Sequence, residues 1–314
     1  MTLKAQFPAE SVDGHWVRQG DAFRDWVRAD GSTAYAPEFG RYHVYVSLAC
    51  PWAHRTIVVR ALKGLEDAIG MSVVDPVRDD AHGWAFRRVD EATTGDAVNG
   101  FDYLAEAYRA SDPNYQGRIT VPVLWDAQTK RIVSNSDDDI MRMFETEFNA
   151  LARHDLDLYP HEHRATIDEL NELIYETVND GVYKAGFAAT QAAYEPPARR
   201  LFEQLDALDA RLANRRYLFG RTPVETDWRL FVTLIRFDAV YHGHFKCNLR
   251  RILDYPNLSG YLRDLYQVRG VAPTVNFDHI KRHYYVTHDE INPTRIVPIG
   301  PAQHLDAPHH RDSL

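Results

Sequence analysis

Residues 42–57 read Tyr-His-Val-Tyr-Val-Ser-Leu-Ala-Cys-Pro-Trp-Ala-His-Arg-Thr-Ile. An apolar, β-branched run ends in a cysteine, and a proline opens the next segment. Behind it Val58, Leu62, Leu65 and Ile69 recur at helical spacing. The stretch is therefore strand, loop, Cys-Pro, helix over about 52–68. Pro51 suits a first helical position, where the missing N–H had no intrahelical partner. Cys50 then sits just before a helix N-terminus, where unpaired amides and the macrodipole favour an anion. A thiolate placed there gains nucleophilicity at neutral pH. The fourth position of the motif is Ala53, not cysteine, so no neighbouring thiol can close an internal disulfide. Cys247, the other cysteine, lies far along the chain in a helical segment and reads as a small buried apolar residue. Cys50 is left with monothiol chemistry: a mixed disulfide that an external thiol must release.

Working outward, Met71–Val77 reads as a second strand. Strand, helix and strand of this length imply a parallel pair with a right-handed crossover. Residues 78–117 form a polar insertion around Gly83-Trp-Ala-Phe86, long enough to suggest function or ligand-dependent order. Arg118–Trp125 and Arg131–Ser134 read as strands joined by a hairpin connection. Pro122 interrupts the first of them, which is anomalous inside a strand. A Val-Pro before a hairpin, downstream of a Cys-Pro helix, is where thioredoxin-like folds keep a cis-proline that turns backbone groups toward the thiol. A helix begins near Asp137 and carries Ile140, Met143, Phe144 and Phe148 inward.

The rest reads as helical. Ile167, Leu170, Ile174 and Val178 mark one amphipathic helix, and Leu201, Leu205, Leu208 and Leu212 another. Trp228, Phe231, Ile235 and Phe237 mark a central apolar one, and Leu258, Tyr261, Leu262 and Leu265 a further one. The expected architecture is α/β plus all-α: an N-terminal extension (1–40) packed on the body, a thioredoxin-like thiol-binding domain (41–150), a helical substrate domain (160–285) and a C-terminal tail (286–314). The tail's Ala307–Asp312 reads as a solvated end.

Composition narrows the function. The 314 residues are 45% hydrophobic and carry a net charge of −9, which argues against nucleic acid or an anionic membrane as partner. Two cysteines suit a reducing compartment rather than a disulfide framework. The opening Met-Thr-Leu-Lys-Ala-Gln-Phe-Pro has no apolar signal core, and no run is long enough to span a membrane, so a cytoplasmic protein is expected. His154, His161 and His163 near Asp155, Asp157 and Glu162 lack ligand spacing and read as a solvated linker, so no metal is expected.

Several longer stretches carry a resemblance. They are Gly40–Thr56, Gly83–Phe86, Val98-Asn-Gly-Phe101, Val121–Asp126, Asp227-Trp-Arg-Leu230, His244–Arg251, Tyr284-Tyr285 through Ile291–Thr294, and Ile299-Gly-Pro301. Together they resemble the glutathione transferase superfamily and, within it, the Xi class, the glutathionyl-hydroquinone reductases. The resemblance implies a thioredoxin-like domain followed by a helical glutathione-transferase domain. It implies Cys50 as nucleophile, and Trp84 stacking on glutathione. Arg118, Ile119, Thr120 and Val121 would pair with the tripeptide's backbone beside cis-Pro122. Tyr183 is implied as proton donor and acceptor. Tyr241 and Tyr284, the latter in preference to Tyr285, would stabilise the thiolate and hold the substrate oxygen. A homodimer, glutathione as cosubstrate and a quinone or hydroquinone thioether as substrate complete the implied picture. The family's turn Asn-Glu-Ser-Ser-Glu-Ile is here Asn135-Ser-Asp-Asp-Asp-Ile140. Ser136 and Asp137 thus supply a carboxylate for the γ-glutamyl ammonium and a hydroxyl for the carboxylate in swapped order. The same chemistry with another small thiol, such as mycothiol, is the alternative. Two further readings are a non-catalytic binder of aromatic ligands or a partner protein, which the presence of Cys50 opposes, and an ordinary conjugating transferase, which a reactive protein thiol opposes.

Overall fold

A computed structural model describes residues 10–78 and 81–314. Residues 1–9 of the expected extension and 79–80 of the insertion lie outside the described residues. In chain order the elements are β1 (Ser11–Val12), β2 (His15–Trp16), β3 (Tyr42–Val46), α1 (Pro51–Leu62), β4 (Ile69–Val73), α2 (Leu104–Ser111), β5 (Val123–Asp126), β6 (Arg131–Ser134) and α3 (Asp137–Thr146). After them come α4 (Arg164–Ile174), α5 (Gly181–Gly186), α6 (Gln191–Arg211), α7 (Glu225–Arg236), α8 (Leu258–Gln267) and α9 (Phe277–Arg282). They group into two compact units.

One unit comprises residues 20–156 and 273–287. Its sheet runs β4-β3-β5-β6, with β3 parallel to β4 and the other two pairings antiparallel. The parallel pair is the one expected across the α1 connection; Tyr42 faces Ile69 and Val46 faces Val73. All five residues of β3 are buried, as a strand covered on both faces requires. The expected helix 52–68 stops at Leu62, because Gly64 takes φ +65°, a left-handed conformation that glycine reaches without a Cβ penalty. Leu65 and Ile69 are buried all the same, one in the turn and one at the head of β4. The insertion is less irregular than its composition implies: it holds α2, whose Leu104, Ala105, Ala107 and Tyr108 face inward. Residues 23–25 run along the end of β6: Asp25 donates its N–H to the Val133 carbonyl, and the Asn135 N–H donates to the Phe23 carbonyl. Arg24 clasps the Asp139 carboxylate at 2.7 Å.

The other unit comprises residues 10–19, 157–272 and 288–314 among those described. Every residue of α7 is buried, matching its expected central place. Asp227 in its first turn accepts from the N–H groups of Leu218 and Val224 at 2.9 Å and from the Tyr261 hydroxyl at 2.7 Å. Burial nonetheless pushes its carboxyl up to about 6. The tail is not a solvated end. Leu305 and Arg311 are buried, and the Arg311 guanidinium donates to the carbonyls of Leu212, Arg215 and Arg216 just beyond α6. A guanidinium there neutralises carbonyls that a helix end leaves without intrahelical partners. Among the described residues no helix is long and apolar enough to cross a membrane.

Candidate active site

Cys50 caps α1. Its backbone is extended (φ −76°, ψ 123°), Pro51 takes the first helical position, and the Cys50 carbonyl accepts the first helical bond, from His54, at 3.0 Å. The thiol is partly exposed, and Sγ lies 3.7 Å from the Val121 carbonyl oxygen. The Val121–Pro122 bond is cis, as the motif predicted. Cys247 is fully buried, and burial pushes its thiol well up.

The stretch Arg118–Val121 is fixed from α2 and from the loop after it. The Tyr115 hydroxyl donates to the Arg118 carbonyl at 2.7 Å, and the Thr120 N–H donates to the Tyr108 hydroxyl at 3.1 Å. Ile119 stands partly exposed between them. Asn135 holds the next loop: its side-chain amide donates to Thr120 Oγ1 at 3.1 Å and its oxygen accepts from Phe23 N–H at 2.8 Å. Ser136 caps α3, its hydroxyl accepting from the Asp139 N–H at 3.3 Å. Asp137 is buried, and its carboxylate already has a cation. Arg55, on α1 and wholly buried, reaches Asp137 at 2.7 Å and Asp138 at 2.9 Å. Two carboxylates thus share the Arg55 guanidinium at the N-terminus of α3. Sequence reasoning missed Arg55. The signal was available, since an arginine ahead of the apolar run Ile57-Val-Val59 on a buried helix needs a partner for its charge.

Trp84 is buried in the same unit. The Arg78 guanidinium lies 5.2 Å from its ring, and His283 stacks on it at 5.2 Å and 21°. His283 belongs to a strap, residues 273–287, that returns to this unit from late in the chain. The strap is tied at several points: Thr274 Oγ1 to His54 Nε2 at 2.8 Å, His279 Nε2 to Asp90 at 3.0 Å and Arg282 to Asp90 at 2.9 Å. Burial raises the Asp90 carboxyl, but His279 and Arg282 outweigh it and hold the group below its ordinary range. Asp90, Asp278 and His279 converge closely enough for a metal, yet Arg282 already gives both carboxylates a cation, at 2.9 and 3.1 Å. Tyr284 follows His283, buried and edge-on to it; Tyr285 is half-buried, and burial pushes its hydroxyl up.

Tyr183 and Tyr241 lie together in the helical unit, ring centres 6.1 Å apart. Phe245 stacks on Tyr241 at 5.5 Å and 17° and meets Tyr183 edge-on at 5.5 Å. Trp16 and Phe187 stack beside Tyr183, and the Trp16 indole N–H donates to Asp180 at 3.2 Å. His288 lies on Phe245 and bonds His244 at 3.4 Å; burial lowers His244 to about 4, so it is neutral. Gly186 makes this packing possible, since a Cβ there would fall 2.2 Å from the Phe245 ring. None of Trp16, Phe187, Phe245 or His288 was legible as a site residue, because each comes from a different element. Tyr241 and Tyr284 lie in π-helical segments, Phe237–Tyr241 and His283–Thr287, and Tyr183 follows a third, Tyr175–Asn179. Such local widenings occur disproportionately at functional sites.

Residues 49–147 match the glutathione S-transferase N-terminal domain, and residues 191–264 its C-terminal domain. The chain is 50% identical over 312 residues to glutathionyl-hydroquinone reductase YqjG of Escherichia coli K12, covering 98% of this chain and 95% of that protein. The chain belongs to the Xi-class glutathione transferases. It is also 48% identical to glutathionyl-hydroquinone reductase PcpF of Sphingobium chlorophenolicum, covering 96% of this chain and 94% of that protein. Among solved structures, the Xi-class transferase from Natrialba magadii superimposes with a TM-score of 0.92 at 48% identity, covering 97% of each chain. The glutathione-bound structure of E. coli YqjG superimposes at 0.89 and 52%, covering 92% of this Xi-class chain and 96% of that one. Family and fold class are those expected from Cys50-Pro-Trp-Ala and the strand–helix–strand order around it.

Proposed function

We propose that this Xi-class transferase is a glutathionyl-hydroquinone reductase working through Cys50. The observation that carries the proposal is a single cysteine at the N-cap position of α1, its thiol 3.7 Å from the Val121 carbonyl oxygen, with no second cysteine in the motif. The Cys50 thiolate attacks the glutathionyl sulfur of the substrate. The sulfur–sulfur bond forms as the carbon–sulfur bond breaks, and its electron pair stays on the ring carbon. Tyr183 supplies the proton that completes the hydroquinone. A second glutathione gives up its proton, which restores Tyr183, and its thiolate attacks the mixed disulfide. Glutathione disulfide leaves and Cys50 is freed. A tyrosine near pKa 10 is a weak acid, so this role needs a shared hydrogen-bond network, and Tyr241, with its ring centre 6.1 Å from that of Tyr183, is the neighbour that supports it.

For the tripeptide, Arg118–Val121 offers backbone groups and Trp84 a wall. Asp137, with Asp138 and Arg55, leaves one negative charge for the γ-glutamyl ammonium; Ser136 and the first amides of α3 take the α-carboxylate. A thiol without that ammonium, such as mycothiol, is favoured by one observation: Asp137 is already engaged by Arg55. A homodimer is inferred from the family resemblance.

Cys50→Ser should abolish turnover and Cys247→Ser should not. Intact mass after single turnover should show a glutathione adduct that the Cys50→Ser variant lacks. Alkylation of Cys50 should have its pH midpoint below the free-thiol value of about 8.5. Full activity in Cys50→Ser would overturn the mechanism.

A further inference from the structure

We propose that His283 is the positioning residue that holds Trp84 in place for the small thiol, an inference resting on the assignment of Trp84 as a wall of the thiol site. The imidazole is buried, and its Nδ1 lies 2.7 Å from the Pro76 carbonyl oxygen. A carbonyl only accepts, so Nδ1 carries the hydrogen and the ring cannot flip without losing that bond. The Thr287 hydroxyl lies 3.5 Å from the same nitrogen and accepts from the Arg78 N–H at 3.3 Å. The backbone leading into the Trp84 loop and the strap are thus joined on either side of the ring. Held this way, the imidazole lies nearly parallel to the indole, 5.2 Å away, while Arg78 from the same loop lies over the indole as well. Tyr284 meets the imidazole edge-on at 5.2 Å and 80°. The anchored ring thus supports the indole face to face and touches Tyr284 only by an edge.

The strap's second tie explains why the brace is stiff. Asp90, six residues beyond Trp84, accepts from His279 and Arg282 of α9, immediately before His283. The loop carrying Trp84 is thereby tied to α9 beyond the indole, and to His283 and Thr287 before it. Removing the ring frees the indole to turn, and a loosely held binding wall weakens the ground-state complex more than it slows the chemistry.

The test uses the full chain labelled with 5-fluorotryptophan, the Trp84 resonance being the one lost in Trp84→Phe. His283→Leu should shift or broaden that resonance and leave the others in place. Its KM for glutathione should rise about tenfold while kcat at saturation stays within about twofold. His283→Phe keeps a flat ring without the Pro76 bond and should fall between wild type and His283→Leu in both readouts. It also serves if the leucine variant does not fold. An unmoved Trp84 resonance in the folded variants, or a fall in kcat with unchanged KM, would overturn the proposal. A resonance that moves, in an enzyme where Trp84→Phe leaves the glutathione KM unchanged, supports the positioning and refutes Trp84 as the thiol wall.

Discussion

Asp137→Ala probes structure and function at once, and the structure separates the two effects. In the folded chain the Asp137 carboxylate pairs, as Asp138 does, with a guanidinium that is 0% exposed. Removing it leaves Arg55 with Asp138 at 2.9 Å, so the buried charge is weakened but not orphaned. The loss is that of one charged hydrogen bond, about 1.5–3 kcal/mol of stability, rather than the roughly 3–5 kcal/mol of an abandoned buried ion. The binding effect has a different origin. Two carboxylates and one guanidinium carry a net charge of −1; without Asp137 the cluster is neutral, and a bound γ-glutamyl ammonium has no counter-charge. That should cost about 1–3 kcal/mol of affinity, a rise of about 5–150-fold in the glutathione KM. Urea unfolding reads the first quantity, and initial rates at saturating S-glutathionyl-hydroquinone with varied glutathione read the second. Mycothiol, which lacks the ammonium, should respond little to the substitution if it is used at all. An Asp137→Ala protein with a lowered urea midpoint but an unchanged glutathione KM would refute the ammonium role and leave Asp137 as the partner of Arg55 alone.

Tyr183→Phe should lower kcat on an S-glutathionyl-hydroquinone by about 10²–10⁴-fold with little change in KM, because a general acid acts in the transition state; wild-type kcat would make Tyr183 a packing residue. Gly186→Ala places a Cβ 2.2 Å from the Phe245 ring. The ring must move off Tyr241 and Tyr183, costing about 1–3 kcal/mol in urea unfolding and raising the KM for the aromatic substrate; unchanged stability would show that Phe245 has room to yield. Burial holds His43 and His244 at about 4, below an ordinary value of 6.5. Unfolded imidazoles then bind protons that the folded ones refuse. Their contribution to stability is present above pH 6.5 and is lost as pH falls toward 4. The urea midpoint should drop across that window, and His43→Gln should flatten the drop; an undiminished slope would place the titrating groups elsewhere.

The features legible before folding are those that depend on near neighbours. The alternation of β3, the Cys50-Pro51 junction, the Val121-Pro122 dipeptide and the cap at Ser136 each lie within a few residues of the groups they control. Backbone geometry and helix-end electrostatics act over that range, so the fold class and the place of Cys50 at a helix start were legible in the order of residues. The elements whose roles were missed are joined across long separations. Arg55 meets Asp137 82 residues away, and His283 meets Pro76 207 residues away. Arg311 reaches the carbonyl of Leu212 99 residues back, which a reading of its polar neighbours as a solvated end could not anticipate. Hydrophobic periodicity says which face of a helix turns inward, but not which partner it meets. A buried charge signals that a partner must exist without naming it. The partners of Arg55 and His283, the packing of Phe245 on Gly186 and the widened helical turns at Tyr241 and Tyr284 were chosen when the chain closed, because only close packing brings those groups within bonding distance.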